Sequence, residues 1–169
     1  MSRIDTGDVV KGAFVGIIAG LAATVVMTEY QNLLSAMAEE EKKKSKNKKE
    51  EKEPATVKAA KIISEGAFNH KLTKKEKEIA GPAMHYAMGA TSGAIYGIAS
   101  ELAPFTTSGA GLPFGAAVWL IADDVAIPAL GLSKSPTEYP LSTHAYALSS
   151  HLVYGLATDL VRRFLLKLF

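Results

Sequence analysis

The sequence predicts an all-α membrane protein: four transmembrane helices as a tandem repeat of two helical hairpins, plus a short amphipathic cytoplasmic helix. Three observations predict it. Long windows of the chain are nearly free of charge, the charges gather in one loop, and a motif in the second apolar window recurs in the fourth. The partition of charge is the sharpest. Residues 39–79 hold 13 of the 19 Lys and Arg and 9 of the 17 Asp and Glu of the 169-residue chain. A soluble domain spreads charge over every surface face, whereas a membrane protein confines it to loops. The length suits one bundle, and a net charge of +2 gives no basis for nucleic-acid binding.

Residues 1–38 carry the first span, apolar across 9–34. The start mixes acids with bases and runs into a long apolar core, which reads as an uncleaved span rather than a signal peptide. Residues 39–79 form the charged cytoplasmic loop. Its run EEEKKKSKNKKEEKE (39–53) is either a helix extension held by i,i+4 acid–base pairs or disordered. After Pro54, the segment 55–68 reads as the amphipathic helix, with Val57, Ala60, Ile62 and Ile63 as its apolar residues. It is expected on the membrane surface or on the bundle.

Residues 80–169 supply spans two to four, at 82–103, 112–132 and 142–166. Each has the length of about 20 residues that crosses the hydrocarbon core. Pro82, Pro113 and Pro140 fall at or just before helix starts, where a missing N–H costs nothing. Pro104 and Gly131 mark ends. The loops between spans 1–2 and 3–4 hold 14 Lys and Arg, against five on the other side. The positive-inside rule then puts the large loop in the cytoplasm and both termini outside.

The repeat rests on residues 95–102 (IYGIASEL) and 153–160 (VYGLATDL), alike at every position. A fainter match sets Gly20-Leu-Ala-Ala beside Gly115-Ala-Ala-Val, which makes Glu29 the counterpart of Asp124. Parallel repeats of this kind are related by an axis along the membrane normal. Gly12, Gly16 and Gly20 recur every four residues, as do Gly89, Gly93 and Gly97. Such glycine-zipper stripes let helix backbones approach closely, within one chain or between copies.

Ionisable residues inside a span are costly and mark functional candidates. Glu29, His85, Asp123, Asp124, His144 and His151 all fall at the midplane or within roughly 10 Å of it on the cytoplasmic side, at 1.5 Å per residue. His144 and His151 are two turns apart and share a face. Asp123 and Asp124 diverge by about 100°, so one of them, Asp124 by the repeat, is expected to meet the cluster. Pro128 should kink the helix and free the Asp124 carbonyl. Glu101 and Asp159 occupy matching repeat positions near the outer surface and read as surface anchors, Asp159 beside Arg162 or Arg163.

With no cysteine, disulfides, iron–sulfur clusters and thiolate metal sites are excluded. No nucleophile with an oxyanion site is recognisable, so no enzymatic activity is expected. Nor is a cofactor, though His and carboxylate could hold Zn²⁺ or Fe²⁺, and His85 with His144 or His151 a haem b. The motif HExxH and the Glu-x-x-His pairs of di-iron bundles are missing.

Residues 114–124 (FGAAVWLIADD), 128–133 (PALGLS), 136–140 (PTEYP), 144–155 (HAYALSSHLVYG) and 85–89 (HYAMG) resemble the YagU-like family of bacterial inner-membrane proteins. The resemblance implies a multi-pass protein of the bacterial inner membrane in a largely uncharacterised family, with no residue roles to carry over. The expectation is a protein that handles protons or small cations, or senses pH, through the His/carboxylate cluster. The alternatives are a non-catalytic scaffold or accessory subunit, and a metal- or haem-binding module. The expected partners are the lipid bilayer and either further copies of the chain or another membrane protein.

Overall fold

The computed structural model describes residues 5–42 and 53–168, without the side chains of 39–42. Those described residues are helical, with no strand. Helix α1 spans Thr6–Lys42, α2 spans Ala55–Phe68 and α3 spans Lys74–Leu102. Helix α4 spans Leu112–Ala129 and α5 spans Leu141–Leu168. Most of the low-complexity charged run lies outside the described residues.

Two helices, Thr6–Ala38 and Leu112–Ala129, are long and apolar enough to cross a membrane. In α3 and α5 the Gly, Ser, Thr, Tyr and His content dilutes the apolar residues. Helix α1 packs on both α3 and α5, α4 packs on α5, and α2 packs on α3. Beside Val15, Met27, Tyr96 and Tyr154, the interior holds Ala19, Ala23, Thr24, Ser150 and Thr158, while the large apolar Phe14, Ile17, Val25, Leu120, Ile121 and Leu160 are exposed.

Small residues fill the interior because the backbones approach each other there. A methyl group at Gly12 would lie 2.9 Å from the Gly97 carbonyl oxygen. One at Gly16 would overlap the Gly93 carbonyl, and one at Gly20 the Gly89 carbonyl. Helices α4 and α5 meet in the same manner. A methyl at Gly111 would overlap the Gly155 carbonyl, and one at Gly115 the His151 carbonyl. The offset is constant within each helix, 99 residues from Gly12 and Gly16 to Gly111 and Gly115, and 58 from Gly97 and Gly93 to Gly155 and His151. Gly16, rather than Gly20, therefore takes the place of Gly115, and Val25 rather than Glu29 stands where Asp124 does. The expected register was off by one helical turn.

At the next step the two hairpins part. The first continues with Gly20 against Gly89; the second has Trp119 and Ala147 at those places. An indole cannot enter a backbone contact, and at Trp119 the helix changes to π geometry, over Trp119–Ala126. This is where α4 leaves the tight contact.

Helix starts differ from expectation at one proline. Helix α3 begins at Lys74, capped by Thr73, which accepts from the Glu76 N–H while the Glu76 carboxylate accepts from the Thr73 N–H. That reciprocal cap nucleates the helix ahead of Pro82, which therefore sits inside α3. Pro113 lies in the first turn of α4, and Pro140 directly precedes α5.

Helix α2 lies on the bundle. Its Val57 fills the space above Gly81 of α3, and Val57 and Ala60 are buried. Ile62 and Ile63 face outward instead of joining them. Charges fix its start. Glu53 pairs with Lys61 at 3.1 Å and Lys77 at 3.0 Å, and Lys58 Nζ donates to the Leu132 carbonyl at 2.9 Å.

A candidate site of two histidine–aspartate pairs

The site forms where α4 and α5 stop touching backbone to backbone. His144 and His151, two turns apart on α5, each face one of the adjacent aspartates of α4. His144 Nδ1 lies 3.5 Å from Asp124 Oδ1, and His151 Nδ1 lies 3.7 Å from Asp123 Oδ2. Both aspartates are engaged, where only one was expected. The wider π turn rotates successive side chains by less than the 100° or so of an α-helix, so neighbours stay on one face.

Pro128 contributes to that geometry. The Ile127 N–H reaches back five residues to the Ala122 carbonyl. Continued one step, the same register pairs the absent donor of Pro128 with Asp123. The bond that proline removes is thus the one opposite the Asp123 carbonyl, rather than the Asp124 carbonyl.

Backbone carbonyls orient both imidazoles. His144 Nε2 donates to the Pro136 carbonyl at 3.0 Å, and the ring meets Trp119 edge-on with centroids 6.3 Å apart. His151 Nδ1 donates to the Ala147 carbonyl one turn earlier, at 2.9 Å.

A cavity of about 740 Å³ adjoins the second pair, lined by residues of all five helices. Asp123 and His151 line it from α4 and α5, and His85 lines it from α3. The Nε2 atom of His85 is buried without a hydrogen-bond partner. His144 and Asp124 stand outside the lining. Glu29 is exposed and also outside it, so it does not join the cluster.

The lining of α1 is instead Thr24, Thr28, Gln31 and Asn32, with Met27. Sequence reasoning passed over these residues because none is ionisable. Their spacing of four, then three and four, was a readable signal of one polar face on an apolar helix. Pro54 and Thr56 of the α2 start also line the cavity.

The end of the bundle near the α3–α4 loop is sealed. Tyr96 and Phe114 stack with centroids 4.6 Å apart. The Tyr96 hydroxyl donates to Asp159 Oδ1 at 2.8 Å; beside the cavity, the Tyr154 hydroxyl donates to the Gly89 carbonyl at 2.7 Å. Arg163 pairs with Asp159 at 2.7 Å and Arg162 with Glu101 at 2.6 Å. Asp159 is wholly buried, not a surface anchor. Its burial is tolerable because Tyr96 and Arg163 both donate to it.

Among the described residues, no three His, Asp or Glu side chains are placed to hold a metal ion together. Comparison with curated proteins and with solved structures found no match. The family described as "Protein of unknown function (DUF1440)" matches residues 46–160, which include α2 to α4, most of α5 and both histidine–aspartate pairs. The chain therefore belongs to the DUF1440 family.

Proposed function

We propose that the chain is a multi-pass protein of the bacterial inner membrane, with α1, α3, α4 and α5 as spans, that binds and passes protons or small cations through its histidine–aspartate pairs. The many exposed large apolar residues support the membrane reading. Small and polar residues at the helix contacts, with apolar side chains turned outward, are what helices packed in lipid favour. The shared contact pattern of α1/α3 and α4/α5 supports descent from a duplicated hairpin whose second copy acquired the site. No catalytic activity is proposed.

One observation carries the proton reading: an imidazole stands beside a carboxylate twice across the same two helices, His144 Nδ1 3.5 Å from Asp124 Oδ1 and His151 Nδ1 3.7 Å from Asp123 Oδ2. Histidine and carboxylate side chains inside a membrane bundle are the groups that proton relays use. At His151 the same nitrogen faces a carbonyl and Asp123, which leaves the second pair to exchange with the cavity.

The test is proton or alkali-cation flux into liposomes. Asp123→Asn and His151→Ala are expected to lower flux at least tenfold, with the protein still monodisperse. Flux equal to wild type in both variants contradicts the proposal. A second reading, a non-catalytic scaffold, is favoured by α4, whose apolar window is only 6% buried. It predicts background flux in every variant, wild type included.

A further inference from the structure

Two features of the cavity lack complements, and together they describe an occupant. The Asp123 carboxylate has His151 as its ion-pair partner, at 3.7 Å, beyond hydrogen-bond range. The Nδ1 hydrogen of that histidine goes to the Ala147 carbonyl at 2.9 Å. A carboxylate in a mostly apolar chamber is thus short of a donor. The second is the apolar wall itself, from Met27, Val57, Met88, Val118 and Ile127. A bare hydrated ion would leave that wall uncovered. At about 740 Å³ the space is of the size that holds a small organic molecule.

Access fits the same occupant. Helices α3 and α4 meet through Tyr96 and Phe114 and are otherwise loosely joined, and both line the space. In a bilayer, loosely joined helices admit molecules dissolved in the lipid.

We propose that the cavity binds apolar molecules carrying a primary ammonium, the nitrogen donating to Asp123 while the hydrocarbon body covers the methionine and valine wall. An ammonium supplies the charge and the donors that the carboxylate lacks. The inference rests on the cation-handling reading of Asp123 and names the class of cation.

The test is calorimetric titration of the detergent-purified full chain with 1-aminoadamantane and with 1-adamantanol, equal in shape and differing in charge. Stoichiometric binding of the amine, with the alcohol at least tenfold weaker, is expected. Asp123→Asn should remove that preference. Equal binding of amine and alcohol, or binding of neither, overturns the inference. The wild-type comparison decides this even if a variant misfolds. Repeating the titration in phosphatidylglycerol nanodiscs, with and without phosphatidylethanolamine, separates the sources. Competition by that lipid assigns the ammonium to a headgroup, and its lack assigns it to a free amine. If flux depends on Asp123 but the amine does not bind, this inference alone fails. If the amine binds and flux is independent of Asp123, the transport reading fails alone.

Discussion

Glycine decides what the interior can be. Gly16 and Gly93 face each other so closely that a methyl on either overlaps the partner's backbone oxygen. Backbone cannot rotate away as a side chain can, so the helices must separate. Gly93→Ala is expected to cost about 1–3 kcal/mol, the usual penalty of overpacking a close contact. Gly66 of α2 has nothing within 4 Å of an added methyl. Gly66→Ala should instead gain about 0.5–1 kcal/mol from helix propensity. Thermal unfolding in detergent checks both, and equal shifts would remove the distinction. The glycine stripes of α1 and α3 were legible as sequence because they recur every four residues. Gly111, Gly115 and Gly155 of the α4/α5 contact were not read as a packing stripe, because Trp119 cuts that stripe short. Glu29 was misplaced for a related reason. The faint match that raised it aligned Gly20 with Gly115, one turn from the register that the contacts define.

At the scale of elements, the segment 55–68 was legible end to end, since Pro54 starts it and Asn69 stops it in a left-handed conformation. Its facing was half legible: Val57 and Ala60 are buried, and Ile62 and Ile63 are not. A short apolar set on a helix names more than one stripe, and only the partner Gly81 selects between them. The π stretch of α4 was not legible. A proline four residues after an aspartate signals a lost hydrogen bond without saying whether the helix bends or widens. Electrostatics holds the start of α2 against the cavity mouth. Glu53 sits between Lys77 and Lys61, whose hydrogen bonds hold its carboxyl below the ordinary 4.5. Because the folded value is the lower one, this stabilisation is full above pH 4.5 and is lost as pH falls through the folded value. A spin label on Ile62→Cys should be restrained at neutral pH and mobilise in acid below that range. In Glu53→Gln it should already be mobile at neutral pH. A label indifferent to both changes would show that Val57 alone holds the helix.

For the whole molecule, the account is a row of helices whose interior is built of small residues, sealed at one end and open at the other. The sealed end ties Glu101, Asp159, Arg162 and Arg163 together with Tyr96, and the open end holds His85, Asp123 and His151. The proposed multi-pass reading has α3, α4 and α5 cross the bilayer, so that lipid covers the exposed apolar side chains. The measurement that tests this most directly uses the natural lack of cysteine. Ser108, in the loop between α3 and α4, and Thr137, between α4 and α5, are both exposed. Each is replaced singly by cysteine and labelled with a membrane-impermeant maleimide in right-side-out and inverted vesicles. The account predicts that Ser108→Cys reacts only from outside and Thr137→Cys only from the cytoplasmic face. Labelling of both from the same face would mean that α4 does not span, and would contradict the four-helix membrane bundle.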